Sequence, residues 1–285
     1  MQVTPEDIQV ISRLVDDLCG IVLDASKGYL IESRLSRLAE ETGCKTFTEL
    51  YYKVRYDNNK ALQRKIIDAI TTNETLFFRD TSPFEALQFK VIPELIDLKG
   101  GSLNPKRLRI WSAACSTGQE PYSIAMVLRE MLPDIDTWDI SITGTDISDA
   151  AVAQASQGRY AAHEIQRGMT PPLLKKYFTE EGNVRKVKDE LRSMVNFRQM
   201  NLLQPFTTVG PYDIIFCRNV AIYFAPEPRK NLFRRLKERL TSDGYLFVGS
   251  SESLTDVGPE FVPHHHCRAV FYQPNKVRKL AAAAV

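Results

Sequence analysis

No run in this 285-residue chain approaches the roughly 20 apolar residues that cross a bilayer, so no direct membrane insertion is expected. The opening MQVTPEDIQV is acidic and short of apolar length, and no secretory signal is read there. Cysteine is sparse: Cys19, Cys44, Cys115, Cys217 and Cys267 are odd in number, widely spaced and without a CxxC. They read as reduced thiols of a cytoplasmic protein. Excess charge of one sign is missing too. A net charge of +2 gives no reason to expect nucleic acid or a membrane surface as the main partner. A histidine-rich metal site is also lacking, because in His264-His-His-Cys267 neighbours on a strand would point to opposite faces. No metal is expected, and the run is placed in the turn into a final strand, Arg268 to Tyr272. What remains is 44% hydrophobic residues, enough for one large domain or two smaller ones.

The stretch LRIWSAACSTGQEPYSIAM, Leu108 to Met126, organises the chain. Its first part has the apolar density of a strand buried on both faces. Ser116, Thr117 and Gly118 break the pattern, and Tyr122, Ile124, Ala125, Val127 and Leu128 resume it at helical spacing. A buried strand, a small-residue turn and a helix N-terminus form the ligand-binding corner of a doubly wound sheet. One glycine is too few for a dinucleotide fingerprint, and Glu120 would repel a phosphate. A second strand, Ile140 to Asp146, ends on an acid placed to accept ribose hydroxyls, with Ser148 capping the next helix. A nucleoside site with two carboxylates and no phosphate cradle points to S-adenosylmethionine rather than NAD or ATP. Tyr212 to Cys217 is a further buried strand, so Arg218 and Asn219 emerge over the same crevice. Asn201 and Leu202, after the strand-like Val195 to Arg198, are placed to meet an adenine. A helix from Pro226 through Arg239 and a strand from Gly244 to Gly249 complete the alternation.

Residues 4–72 read as a helical unit. Thr4-Pro-Glu-Asp7 starts one helix, a second runs from about Lys27 to Gly43, Thr46-Phe-Thr-Glu49 opens a third, and a fourth spans about Asn59 to Ile70. Lys27, Arg34 and Arg37 are interleaved with the apolar face of the second helix and suggest a basic ridge for an acidic partner helix. A polar connector, Thr71 to Asp80, then turns aromatic, ends on Arg79 and meets a capping box at Ser82-Pro-Phe-Glu85.

Asn73-x-Thr75-x-Phe77-Phe78-Arg79, WSAACSTGQEPYSIAM, Phe216-Cys-Arg-Asn-Val-Ala-Ile-Tyr-Phe224 and Gly244-Tyr-Leu-Phe-Val-Gly-Ser-Ser-Glu-Ser253 stand in one order along the chain. Together they resemble the bacterial chemotaxis receptor methyltransferases, the CheR family, over essentially the whole length. Ala221 and Cys115 are minor departures. The resemblance implies an α/β architecture: a Rossmann-like class I S-adenosylmethionine-dependent methyltransferase domain, an N-terminal all-α domain and a small inserted antiparallel β-subdomain. The expected boundaries are 1–72 for the helical, receptor-recognising domain, 73–99 for a linker and connecting helix, and 100–285 for the methyltransferase domain. The insert falls at about 161–200, with Asn183–Lys188 and Ser193–Arg198 as antiparallel partners. The family makes methyl esters on glutamates of chemoreceptor cytoplasmic helices, for chemotactic adaptation. Its cofactor residues map onto Asn73, Thr75, Arg79, Glu120, Asp146, Asn201, Leu202, Arg218 and Asn219.

Under that resemblance Arg79 orients a carboxylate, of acceptor or of methionine, and Tyr223 borders the transferred methyl. Lys27, Arg34 and Arg37 read the receptor's acidic helices. An exposed edge of the inserted sheet suits a receptor C-terminal peptide, as in some members of the family. A monomer, cytoplasmic and recruited to membrane receptor arrays, is expected. A glutamate acceptor, ionised near neutral pH, requires no base, metal or enzyme nucleophile. Three rivals stay open: a nucleic-acid methyltransferase, disfavoured because Arg218 to Tyr223 stands where an (N/D)-P-P-(Y/F) loop would be; a non-catalytic adenosyl-ligand sensor; and a small-molecule methyltransferase. The Ala281–Val285 tail has no evident role.

Overall fold

Thr4 opens the first helix with a reciprocal cap: its hydroxyl accepts the Asp7 amide at 3.2 Å, and the Asp7 carboxylate accepts the Thr4 amide at 3.1 Å. In the computed structural model, which describes residues 2–100, 106–206 and 210–276, this helix, α1, is Pro5–Cys19 and ends at Gly20 with φ 73°. The Ala281–Val285 tail lies outside the described residues. Then come α2 (Gly28–Glu41), α3 (Phe47–Arg55) and α4 (Ala61–Ile70). Lys27 belongs not to α2 but to a short 3₁₀ turn, Ala25–Lys27, which Asp24 caps. Asp7 also accepts the amide and hydroxyl of Thr48, both at 2.8 Å, and so ties α1 to α3. Burial opposes its ionisation, but the bonds from Thr4 and Thr48 outweigh that and hold its pKa below the ordinary value. Ile11, Val15, Ile31, Leu35, Leu50 and Val54 fill a core belonging to this unit.

The connector leads to α5 (Ser82–Ala86), a π-helical turn at Leu87–Val91, and α6 (Ile92–Gly100). Ser82, expected as the cap of α5, is instead its first residue. The amides of Phe84 and Glu85 turn back to the Thr81 carbonyl, which makes Thr81 the cap position.

Beyond it, strand and helix alternate: β1 (Arg107–Ala113), α7 (Gln119–Met131), β2 (Asp139–Asp146) and α8 (Asp149–Gln157). An insert follows, made of β3 (Arg159–Ala161), α9 (Ala162–Gln166), α10 (Pro171–Tyr177), β4 (Phe178–Glu181), β5 (Val184–Val187) and α11 (Asp189–Arg192). The chain then returns through β6 (Val195–Gln199), β7 (Tyr212–Cys217), α12 (Pro226–Lys237), β8 (Leu240–Phe247), β9 (Phe261–His266) and β10 (Ala269–Pro274).

Seven strands form the main sheet in the order β6-β2-β1-β7-β8-β10-β9. The pairs from β6 through β8 are parallel, while β10 and β9 run antiparallel. All six residues of β7 are buried, as its near-continuous apolar run requires. The order reverses beside β1, so a crevice opens past the carboxyl ends of β1, β2 and β7.

Two expectations are corrected here. Residues 193–198 do not pair with 183–188. Val195–Gln199 is the edge strand of the main sheet, parallel to β2 with Val195 opposite Ile142, and the small sheet has the order β3-β5-β4. Close packing accounts for this register: a Cβ on Gly144 would stand 2.6 Å from the Phe197 ring, so glycine makes room for β6. The histidine run lies on β9 rather than in the turn. His264 stacks on Phe271 with ring centroids 5.8 Å apart, and Cys267 and Arg268 make the reversal at positive φ. Among the described residues, no helix is long and apolar enough to cross a membrane.

Candidate active site

The turn after β1 is wound unusually tightly. Ala114, Ser116 and Gly118 all have positive φ, at 61°, 51° and 94°, and such conformations cluster where backbone must approach a ligand. Only glycine fits at 118, since a Cβ there would lie 2.8 Å from the Ala155 Cβ and 3.1 Å from the Tyr160 hydroxyl.

In the first turn of α7, Glu120 accepts the Ser112 hydroxyl at 2.7 Å and Arg218 Nη1 at 3.0 Å. The Arg218 side chain is 2% exposed. Its other terminal nitrogen donates to Asp80 at 2.7 Å and to the Arg79 carbonyl at 3.0 Å. Arg218 therefore joins the connector to the floor of the crevice and balances two carboxylates at once.

Asp146, the last residue of β2, accepts the amides of Ser116 at 2.8 Å and Ser148 at 3.0 Å. Burial raises its pKa against the opposing pull of these amides, and the nearby Asp68 charge adds to the rise. Asn219 follows Arg218 at φ 57°, and its amide donates to Glu252 at 2.7 Å. The Gly249 amide meets the same carboxylate oxygen, also at 2.7 Å.

Ala114, Ser116, Glu120, Asp146, Arg218 and Asn219 face one cleft, with about 1230 Å³ of space that includes open solvent. Glu120, Asp146, Arg218 and Asn219 line its floor; Asn73, Thr75 and Arg79 come from the connector; Asn201, Leu202 and Tyr223 close the far side. Twelve of the thirteen residues singled out in the sequence thus meet here, because Lys27 and Arg34 line it as well. Arg37 does not: its side chain is 90% exposed and pairs with Glu41 at 2.8 Å.

The three residues of the basic ridge thus do not share one surface: Lys27 and Arg34 line the cleft and Arg37 lies outside it. Arg34 turns inward, donating to the carbonyls of Ile70 at 2.6 Å and Thr71 at 3.1 Å and to the Thr72 hydroxyl at 3.1 Å. These bonds clamp α2 to the connector. Asn201 is also engaged within the chain, its Nδ2 donating to the Leu18 carbonyl at 2.9 Å and its Oδ1 accepting the Leu203 amide at 2.9 Å. Arg79 spends one nitrogen on the Glu74 carbonyl at 3.0 Å. Tyr223 sits at the rim, its carbonyl accepting the Val22 amide at 3.0 Å.

Several contributors were not singled out beforehand. Ile21, Val22 and Leu30 roof the cleft from the helical unit, and Ile147 and Met200 add apolar wall. Glu252 and Asp80 support Asn219 and Arg218 from outside the cleft lining. Glu252 lies inside the Gly244–Ser253 block, which was a usable signal; nothing local marks Ile21 or Val22.

The donor set suits S-adenosylmethionine. Asp146 at a strand tip can take ribose hydroxyls, and a second carboxylate in the same cleft favours a cationic ligand over a phosphate. The apolar wall of Ile147, Met200 and Leu202 can flank a base.

Comparison with known proteins agrees with this arrangement. Residues 6–71 match the family described as "CheR methyltransferase, all-alpha domain", and residues 73–270 match "CheR methyltransferase, SAM binding domain". Chemotaxis protein methyltransferase 1 of Pseudomonas aeruginosa is 41% identical over 262 residues, covering 90% of this chain and 93% of that protein. Chemotaxis protein methyltransferase Cher2 of Pseudomonas putida is 40% identical over 272 residues, covering 94% and 97%. A chemotaxis protein methyltransferase of Vibrio parahaemolyticus is 40% identical over 267 residues, covering 91% and 93%.

Proposed function

The chain belongs to the CheR methyltransferase family and is an S-adenosylmethionine-dependent enzyme, and from that premise we propose that it esterifies glutamate side chains on the cytoplasmic helices of chemoreceptors. The observation that carries this reading is the cleft itself: two hydrogen-bonded carboxylates on its floor, and a rim formed jointly by Tyr223 and the N-terminal helices.

S-adenosylmethionine supplies an electrophilic methyl group on a sulfonium, and methyl transfer to a carboxylate oxygen leaves S-adenosylhomocysteine. Asp146 receives the ribose hydroxyls, and Glu120 favours the cationic end. Asn73, Thr75 and Asn219 contribute polar contacts, and Leu202 an apolar one. Asn201 acts chiefly by fixing its loop, since both amide atoms already have partners.

The acceptor glutamate, with an ordinary pKa of about 4.3, arrives ionised, so the chain need not remove a proton. Its task is to align and desolvate the reacting pair. Among the described residues Arg79 forms no ion pair, and it faces the cleft, which fits it to orient the acceptor carboxylate. Tyr223 borders the methyl. Ile21, Val22 and Leu30 exclude water from above.

Receptor recognition falls to Lys27 at the rim and to Arg37 outside, with Arg34 acting structurally. The small sheet suits a receptor C-terminal peptide, because among the described residues β4 pairs only with β5 and its other edge carries no strand. A monomer suffices, since one chain supplies every wall of the cleft, and it would work at membrane-embedded receptor arrays without inserting.

The test uses methyl-labelled S-adenosylmethionine, a purified chemoreceptor cytoplasmic fragment and mild alkali. Label released as volatile methanol identifies a carboxyl methyl ester. Alkali-stable label would overturn the glutamate assignment. Cofactor binding with no label on any of several receptors would favour a sensor.

A further inference from the structure

Asp68 lies on α4, in the helical unit, yet its carboxylate reaches the methyltransferase domain. Its Oδ1 accepts the Ser148 hydroxyl at 2.6 Å and stands 3.5 Å from the Ala150 amide. Ser148 is fully buried and occupied on every side. Its hydroxyl oxygen accepts the Ala151 amide at 3.1 Å while its proton goes to Asp68, and its own amide donates to Asp146 at 3.0 Å. Ile147, between the two, packs against the core of the helical unit. The loop carrying Asp146 is therefore fastened to α4 by a charge-assisted hydrogen bond and an apolar contact. Within its own domain the Met200 amide holds the Asp146 carbonyl at 2.7 Å, the Ser116 and Ser148 amides meet its carboxylate, and the Gln199 side chain reaches the Ile147 carbonyl, so the Asp68 bond is the polar tether that comes from the helical unit.

We propose that Asp68 is a positioning residue of the cofactor site: by holding Ser148 and Ile147 it aims Asp146 into the cleft, so that the helical unit sets cofactor affinity. The inference rests on the cofactor reading above, which places the ribose hydroxyls on Asp146. A carboxylate that must meet two hydroxyls tolerates little displacement, whereas the methyl-transfer geometry depends on other walls of the cleft. Loss of Asp68 therefore weakens binding more than turnover.

The experiment is titration calorimetry of the full chain with S-adenosylhomocysteine, beside steady-state kinetics. Asp68→Ala is expected to weaken S-adenosylhomocysteine binding about tenfold, the worth of one hydrogen bond to a charged group. KM for S-adenosylmethionine should rise in parallel, with kcat at saturation within about twofold. Asp68→Asn keeps an oxygen for the Ser148 hydroxyl and should recover most of the affinity, which also serves if the alanine variant folds poorly. Arg64→Ala removes the neighbouring exposed pair with Asp149, at 3.8 Å, and should leave affinity unchanged. A lowered melting temperature with S-adenosylhomocysteine affinity within twofold of wild type, in both Asp68 variants, would overturn the proposal. Wild-type protein that fails to bind S-adenosylhomocysteine would overturn the cofactor reading, and this inference with it.

Discussion

Removing Arg218 should cost more than its contact distances alone suggest, and the cost should be recoverable. The side chain is 2% exposed and bridges Glu120, whose side chain is 12% exposed, to Asp80, whose side chain is 32% exposed. In Arg218→Met, Asp80 can rehydrate, but among the described residues Glu120 keeps only the Ser112 hydroxyl as a hydrogen-bond partner. Stranding a buried carboxylate without its cation costs about 3–5 kcal/mol. Glu120→Gln is milder, because Arg218 retains Asp80 and the Arg79 carbonyl; losing one charged hydrogen bond costs about 1.5–3 kcal/mol. The double variant has neither charge, so it should be more stable than the sum of the singles predicts by about 2 kcal/mol. Urea unfolding of all four proteins at neutral pH without cofactor, followed by tryptophan fluorescence and far-UV circular dichroism, measures this coupling. Additivity within about 0.5 kcal/mol would refute the reasoning, because independent sites behave that way.

Gly118→Ala should lose about 2–4 kcal/mol of stability, from a left-handed alanine and a methyl pressed on Ala155; a melting temperature equal to wild type would contradict the fit described. Arg79→Ala should cut turnover on receptor about 10²–10³-fold, as for loss of one preorganised donor, while the melting temperature barely moves. Near-normal rates would remove Arg79 from its role. S-adenosylhomocysteine binding should weaken as pH falls, beginning above the ordinary carboxylate value of about 4, because Asp146 has a raised pKa and must be ionised to accept both hydroxyls. The same shift makes this group's contribution to folding stability fall as pH rises from its unfolded to its folded pKa. Calorimetric titrations across that range test the point, and an affinity that held steady until the ordinary carboxylate range would count against it.

The corner of the fold was legible because its signals are local. A buried strand, a turn that only glycine can close and a helix start follow one another between Arg107 and Met131, and the same grammar located Asp146 and Arg218 at strand tips. Pairing partners were harder. Val184–Val187 and Val195–Gln199 look alike as short strands, and what separates them is a distant glycine at 144 that admits Phe197. Arg34 illustrates the same limit. Helical spacing puts it on a face with Lys27 and Arg37, but not which neighbour that face meets, and the neighbour turned out to be the carbonyls of residues 70 and 71. Asn201 likewise finds its partner 183 positions away, at Leu18, a distance over which periodicity carries no information.

The central pair of strands has a cost during synthesis. Ile110 on β1 lies opposite Ile214 on β7, 104 positions later. The helical unit can collapse as soon as Ile70 is out, since the buried residues of its core all lie between Ile11 and Ile70. The β1 strand, by contrast, gains β2 early but must wait for β7 with one edge unpaired. At a ribosomal pace of about 5–20 residues per second, that exposure lasts roughly 5–20 seconds. A row of Ile110, Trp111 and Ala113 offered to solvent for so long is a template for wrong pairing. The window in which this protein is most prone to aggregate therefore opens with β1 and closes with β7, before the last hairpin, β9 and β10, has been made.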